Sequence, residues 1–402
     1  MKSIKMKLIV SILTCSLLTA VLIGVLAISN SMKTAGNDAV AKMQLTGLKK
    51  AGEINSVIQK IEQSVDTMSE VAMSGFDYEK FVKSKEYADN YTDKVEKTVL
   101  NFANHTNGAV TVYLRYNPKY SNPTSGIFAQ RSSLDSDLEC LSPSDFSMYE
   151  EGDMEHVGWY YLPVQAGKAI WMSPYMNENV NIYMISYVVP LFAEDGTSIG
   201  VIGMDIDFSQ ITDLVDETKI YQSGYAFLTD ADGAITYHKQ ADNGTMITDM
   251  DPSLAKAAEI ITDDDKQGTA MQYSYKGTKK QLICNNLDNG MKFVLTAPEE
   301  EIYGTAYSLV RMILAAMLIA VVIAAVIGTI LGTRMANPIR QLTAIIDQTA
   351  QLDFSPTENG GRLRRQKDEI GVLAKQIHKM RKTLCGLMED LQQTQQVLEE
   401  NT

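Results

Sequence analysis

The sequence has 402 residues, is 45% apolar and 21% charged, and carries a formal net charge of −13, which is too long for one ordinary domain and too apolar for a disordered chain. The charge is uneven: residues 31–305 hold 22 Lys and Arg against 40 Asp and Glu, a net −18, while the remainder holds 14 against 9. A middle region this acidic has no face for neutralising phosphates, which excludes nucleic acid as a partner.

Leu8 to Ile28 and Met312 to Gly332 each comprise 21 residues without a charge, and a helix of that length reaches about 32 Å, enough to cross a hydrocarbon core. Lys2, Lys5 and Lys7, with "VLA" at 25–27, also have the outline of a secretory signal. The apolar run exceeds a typical signal core, so an uncleaved anchor is expected. The three lysines before the first stretch, and Arg334 and Arg340 after the second, put both ends on the cytoplasmic side. The expected division is a cytoplasmic N-terminus (1–7), a transmembrane helix (8–28), an extracytoplasmic region (29–305) and a second transmembrane helix (306–332). Cys15 falls in the first span and Cys385 in the tail. Cys140 and Cys284 lie far apart in sequence, which favours two buried free thiols over a disulfide or metal pair.

After the first span the chain reads as helix for about 40 residues. Ala51, Ile54, Ile58, Ile61, Val65, Met68 and Ala72 recur at spacings of three and four, an apolar seam that fits either its own domain or a second chain. From residue 109 the period changes to that of strands. "AVTVYLRY" is followed by Asn-Pro and Ser-Gly punctuation, and "NIYMISYVVPLF", the turn Asp195-Gly196 and "SIGVIGMDIDF" read as a hairpin. A helical "SQITDLVDETK" leads to a second set, in which "GYAFLTD", "AITYHK", "AMQYSYKG", "KQLICNNL" and "KFVLTAPE" alternate like strands. Two α+β modules in series behind one long helix are expected, a distal one at about 75–215 and a proximal one at about 216–300.

The stretches "GWYYLPVQAGKAIWMSPY" (158–175), "MISYVVPLF", "IGVIGMDID" and "SGYAFLTDADGAITYH" resemble the double Cache sensor domain of bacterial transmembrane receptors over roughly residues 35–300. That resemblance implies two stacked PAS-like sheets on a long helix, with the ligand on the membrane-distal sheet. Further on, "NPIRQLTAIIDQTAQLDFS" and "DEIGVLAKQIHKMRKTL" resemble a HAMP relay, a parallel helical coiled coil placed at 333–388 with a coiled-coil extension at 389–402. The stripes stand without the name: Ile339, Leu342, Ile346 and Thr349 form one, and Ile370, Leu373, Ile377, Met380, Leu384, Leu387, Leu391, Thr394 and Leu398 another. Such stripes need a partner chain, so a homodimer is expected. Asp368 and Glu369 suit a helix N-terminus.

No catalytic constellation stands out. "GTSIG" at 196–200 has the form of a nucleophile elbow, but Ser198 follows a hairpin turn and enters a strand instead of a helix. His105, His156, His238 and His378 are scattered without metal spacing, and "DADG" at 230–233 lacks the other ligands of a calcium loop. No metal and no cofactor are expected.

The candidate site therefore comes from the resemblance. In double Cache receptors for amino acids or amines, a Trp-Tyr pair, a later Tyr and an Asp ending the next hairpin line the distal pocket. Trp159 and Tyr160 match the pair, Tyr175 the second aromatic and Asp205 the acid. A desolvated ammonium needs such a carboxylate and is drawn to aromatic faces. Two positions depart from the pattern. Val157 stands where amino-acid receptors keep an arginine, and Asn177 where an acid is frequent; Arg115 or Lys168 is left to meet a ligand carboxylate. Simple amines are accordingly expected to bind better than α-amino acids. The competing reading is that the aromatics are core, a Trp on a strand needing no ligand, and Trp171 is assigned to the core.

The expectation is a homodimeric sensor of the bacterial cell membrane, most simply in chemotaxis, that binds a small solute outside and signals through HAMP. The alternatives are the input portion of a diguanylate cyclase or histidine kinase, an exported hydrolase, and a purely adhesive protein. Because the second stripe still points onward at Leu398, the chain is expected to be a fragment or to signal through a cytoplasmic partner.

Overall fold

A computed structural model describes residues 4–178, 180–356 and 360–400. It divides into two compact units, Met1–Lys33 with Ala306–Thr402, and Thr34–Thr305.

The chain begins with helix α1 (Ile4–Met73), followed by α2 (Tyr78–Lys83) and α3 (Glu86–His105). Strands β1 (Ala109–Tyr116), β2 (Gly126–Arg131) and β3 (Leu138–Cys140) follow, then helix α4 (Met154–Ala166). Next come β4 (Ile170–Trp171), β5 (Tyr175–Asn177), β6 (Ile182–Phe192), β7 (Ser198–Asp207) and α5 (Ser209–Asp216). Among the described residues these strands form a seven-stranded antiparallel sheet in the order β3-β2-β1-β7-β6-β4, with β5 also on β6. β1 lies mid-sheet and all eight of its residues are buried, which explains its near-continuous apolar run.

A second antiparallel sheet comprises β8 (Lys219–Ile220), β9 (Gly224–Thr229), β10 (Ile235–Tyr237), β11 (Met271–Tyr275), β12 (Thr278–Asn286) and β13 (Lys292–Pro298). Its order is β10-β9-β13-β12-β11, with β8 on β9. Short helices α6 (Ile247–Met250) and α7 (Ala255–Thr262) connect β10 to β11, and α8 (Glu299–Ile302) follows β13.

The α1 seam belongs to its own chain's core. Ile54, Ile58, Val65, Met68 and Ala72 are completely buried, in one apolar cluster with Val112, Leu114, Ile202 and Met204 of the first sheet and Ile283, Phe293 and Leu295 of the second. That settles the question the spacing left open, since a seam already covered is not available to a second chain. Polar ties fix the register of the helix. Asn55 and Gln59, one turn apart, donate to the two Asp288 carboxylate oxygens at 2.9 and 2.6 Å. Trp171 Nε1 donates to Glu62 at 2.8 Å, and the Tyr187 hydroxyl donates to Asp66 at 3.3 Å. Trp171, assigned to the core from the sequence, is partly buried and packs against this cluster. The cysteines are free, but Cys140 is exposed where a buried thiol was expected; only Cys284 of that pair is buried.

In the other unit, α9 (Gly304–Ala350) runs on through Pro338, and α10 (Gly360–Arg364) and α11 (Glu369–Glu400) follow. Segments of α1 and α9 are long and apolar enough to cross a membrane. Gly328 and Gly332 of α9 lie against Ile12 and Ile9 of α1; a methyl on Gly332 would come within 3.1 Å of Ile9, the close approach that small residues permit between membrane helices. Asp368 caps α11 by accepting from Gly371 N at 3.0 Å. Leu342, Ile345, Leu363, Ala374 and Ile377 form a small core. The first stripe thus turns Ile345 inward and leaves Ile346 exposed, a one-residue shift from the heptad reading. Leu373, Met380, Leu384, Leu387 and Leu391 remain exposed; the side chain of Leu398 lies outside the described residues.

Ile58→Ala is expected to destabilise the unit at 34–305 by about 2–5 kcal/mol through lost transfer energy and a residual cavity, whereas Val71→Ala on the exposed face of the same helix should cost under about 1 kcal/mol. Urea denaturation followed by circular dichroism measures both. Equal costs would mean that the seam does not carry the core.

Candidate ligand pocket

Strand alternation sorts the first sheet into two faces. Val112, Leu114, Ile185, Tyr187, Ile202 and Met204 face the α1 core; Tyr113, Val188 and Val201 belong to a separate cluster with Val157 and Tyr160 of α4. On this second face the register sets Asp205 beside both Thr111 and Ser186, Gly203 beside Tyr113 and Val188, and Arg115 beside Val201. Gly203 is needed there, because a Cβ would lie 2.6 Å from the Tyr113 ring. Helix α4, capped by Asp153 at its start and by left-handed Gly167 at its end, packs across the face but does not cover it.

A cavity of about 430 Å³ remains. Tyr113, Arg115, Ser186 and Asp205 line it from the sheet, Met154, Glu155 and Trp159 from α4, Met172, Ser173 and Tyr175 from the segment after β4, and Phe128 and Ser144 complete it. Four expected site residues, Arg115, Trp159, Tyr175 and Asp205, therefore meet in one cavity.

Two do not reach it. Tyr160 is 2% exposed and points into the cluster behind the pocket, its ring centroid 4.6 Å from that of Phe146. The reason is helical: adjacent residues on α4 are turned about 100° apart, so Trp159 and Tyr160 cannot share a face. The expectation of a strand here was wrong. Asn177 is the last residue of β5 and does not line the cavity. Val157 is fully buried in the same cluster as Tyr160, so an arginine there would not have faced this cavity, and Lys168 is exposed away from it.

Asp205 is 5% exposed and accepts a hydrogen bond from Ser186 Oγ at 2.7 Å. Burial pushes its carboxyl up to about 6, a shift opposed by the hydroxyls of Ser186, Thr111 and Tyr175. No basic side chain contributes to that balance, and a buried carboxylate without a cation is costly. Burial, reinforced by Asp205, holds the Tyr113 and Tyr175 phenols far above their ordinary value, so both are neutral hydroxyls. The Trp159 N–H is already donated to His156 O at 3.0 Å. Its ring, edge-on to Tyr113 at 5.3 Å and to Phe146 at 5.5 Å, offers π surface and not a donor.

At the other end, Arg115 is 2% exposed, with Nη2 donating to the carbonyls of Pro123 and Ser144, both at 2.7 Å. Its Nε is buried without a hydrogen-bond partner among the described residues, and its guanidinium carbon lies 5.0 Å from the Phe146 ring centre. Burial lowers its pKa to about 10, with Asp145 opposing; it remains charged at neutral pH.

The Cache domain model matches residues 31–306. The chain belongs to the Cache domain family. The methyl-accepting chemotaxis protein McpA of Bacillus subtilis is 23% identical over 292 residues, 69% of this chain and 42% of that protein. The methyl-accepting chemotaxis protein PctB of Pseudomonas aeruginosa is 27% identical over 123 residues, 31% of this chain and 18% of that one. The chain thus spans less than half the length of these curated relatives. The sensory domain of the Campylobacter jejuni chemoreceptor Tlp3 superimposes with a TM-score of 0.50 at 15% identity, covering 68% of this chain and 99% of that one. At that identity the likeness concerns the Cache fold alone, and the pocket rests on its own geometry.

The raised carboxyl predicts a stability signature. An acid whose pKa rises from about 3.9 unfolded to near 6 folded makes folding less favourable as pH rises through that window, by up to about 3 kcal/mol in total. Asp205→Asn should remove this slope and stabilise the ligand-free domain at pH about 7 by up to the same amount. Thermal melts across pH test it; a variant less stable than the parent at neutral pH would show that the carboxylate is compensated.

Proposed function

We propose that the chain is the sensing portion of a dimeric transmembrane chemoreceptor that binds a small ammonium-bearing solute outside the cell. The observation that carries this reading is Asp205, a buried carboxylate with no basic partner among the described residues, lining one cavity with Tyr113, Trp159 and Tyr175. A ligand ammonium would supply the missing counter-charge, and the rings would attract it through their faces. The acid surrounds of residues 31–305 favour cations in the approach as well.

Signalling follows from the rest of the chain. Residues 8–28 and 306–332 are assigned as membrane spans, 29–305 as the extracytoplasmic sensor with distal (about 75–215) and proximal (about 216–300) modules, 333–388 as HAMP and 389–402 as a coiled-coil extension. The exposed Leu373, Met380, Leu384, Leu387 and Leu391 of α11 are the face that a second copy covers. Ligand contacts that differ by a few kcal/mol between two dimer arrangements suffice to shift their populations. Similarity to two chemotaxis proteins favours a chemotactic output over a cyclase or kinase.

Calorimetric titration with a panel of amines, α-amino acids and carboxylates tests the pocket. Alkylamines should bind more tightly than α-amino acids, whose carboxylate would sit beside Asp205. Asp205→Asn should weaken amine binding about thirtyfold or more. Tight binding of a simple anion, unaffected by Asp205→Asn, would sink the assignment.

Topology can be read from native thiols. Cys140 is exposed on β3, and Cys385 lies in the other unit. A membrane-impermeant maleimide should modify Cys140 in intact cells and Cys385 only after permeabilisation. Modification of Cys385 in intact cells would reverse the orientation.

A further inference from the structure

The outer face of the second sheet ends in a group of hydrogen-bond donors that no acceptor meets. Residues 31–305 carry a net charge of −18, yet 267–287 contain three lysines and no Asp or Glu. All three lysines stand at the hairpin of β11 and β12. Tyr275 pairs with Thr278, and Lys276 and Gly277 between them both adopt positive φ, 47° and 78°, the two-residue turn that matches the twist of a hairpin. Lys280 lies two positions before Leu282, so alternation sets it on the face that carries Phe227, Tyr273 and Leu282. Helices α6 and α7 cover those core residues but leave this end partly open: Tyr225, His238, Tyr275 and Lys280 are half-buried.

The four side chains gather there. Lys280 Nζ lies 5.2 Å from the Tyr225 ring centre and 5.5 Å from that of Tyr275, and the Tyr275 ring also has Lys276 Nζ at 5.1 Å. The His238 ring stands edge-on to Tyr225 at 5.5 Å. Burial, helped by the charge of Lys280, lowers the His238 pKa and keeps the ring neutral at pH 7. Because Nδ1 accepts the Gln240 N–H at 3.0 Å, the neutral ring carries its proton on Nε2, as a donor. Among the described residues, Lys280, His238 Nε2 and the Tyr225 and Tyr275 hydroxyls have no hydrogen-bond acceptor and no ion pair. An ammonium drawn partly out of water with only ring faces beside it is under-compensated.

We propose that this end of the second sheet binds a small monocarboxylate with an apolar body, its oxygens on Lys280 Nζ and His238 Nε2 and its body against Tyr225 and Tyr275. The carboxylate would turn unmet donors into charge-assisted hydrogen bonds. Glu301 limits the charge of the ligand. It is spent on the turn at Ser223, accepting from the backbone N–H at 3.0 Å and from Oγ at 2.5 Å, and its charge reaches Lys280, so a dianion is repelled where a monoanion is tolerated. The site lies on a different sheet from the amine cavity and has the opposite sign, so neither reading depends on the other.

The test uses the full chain in lipid nanodiscs, with benzoate, acetate and inorganic phosphate as probes in isothermal titration. Benzoate should bind at one site per chain, about tenfold or more tightly than acetate, which has almost no body to lay on the tyrosines, and phosphate should bind weakest. Lys280→Met keeps an apolar stem and removes the charge, and should weaken benzoate binding about tenfold or more; Lys279→Met, at the exposed neighbouring position, should change it by less than about twofold. A second readout needs no substitution: in the parent protein, benzoate should slow acylation of Lys280 by an N-hydroxysuccinimide ester, followed by peptide mass spectrometry, and leave that of Lys279 unchanged. Absence of benzoate binding, binding indifferent to Lys280→Met, or an unprotected Lys280 would overturn the site. Acetate or phosphate binding more tightly than benzoate would overturn the ligand class.

Discussion

The unit at 34–305 depends on one contact, the burial of the α1 seam against two sheets at once. A long helix gains little stability in water from propensity alone and takes most of it from an amphipathic face packed on something else. Here that face meets Leu114 and Met204 of one sheet and Phe293 and Leu295 of the other in a single apolar cluster. Because α1 occupies the inner side of both sheets, the outer sides have to be finished by other elements. In the second sheet Phe227, Tyr273, Leu282 and Val294 are closed over by Leu254, Ala257, Ile260 and Ile261, which leaves a filled core. In the first, α4 crosses a face that carries Gly203, Ser186 and Asp205, and the polar and missing side chains leave a cavity.

That difference sets where the free energy is spent. A cavity lined by an unpaired carboxylate and an under-bonded guanidinium is a cost carried by the ligand-free fold, supported by the apolar cluster beneath it. The neutral hydroxyls around Asp205 soften the cost without removing it, which is why the carboxyl remains near 6 and not at the value of a solvated acid. Both charges sit on strands of the sheet, Arg115 on β1 and Asp205 on β7.

Much of this was legible in the sequence. The seam of α1, the strands of both sheets and the helix after β7 follow from periodicity, and the Asp195-Gly196 turn locates the hairpin. Equal counting from the two turn residues sets Ser186 opposite Asp205, and the observed pairing agrees because a register shift between Leu191 and Phe192 offsets the tighter closure at Phe192–Ser198. Tyr113 was within reach of sequence reasoning, since alternate positions on β1 share the face of Arg115. What the sequence hid is the helix at 154–166. Its aromatics and mid-helix Pro163 resemble a strand in composition, and only a helical turn separates Trp159, in the pocket, from Tyr160, behind it. Ile345 replaced Ile346 in the α9 core for a similar reason: a straight helix drifts from a strict heptad count.

The tie between Trp171 and Glu62 has a spectroscopic consequence. The segment that begins with Trp171 continues into Met172, Ser173 and Tyr175 of the cavity wall, while the Trp171 indole itself is anchored to α1. The chain's two tryptophans therefore occupy the two ends of one mechanical linkage. Trp159 lines the cavity, and Trp171 is tied to helix α1. With one replaced by Phe, the emission of the other becomes an intrinsic gauge, Trp159 of occupancy and Trp171 of helix displacement. The delay between the two signals would give the time the domain takes to turn binding into motion.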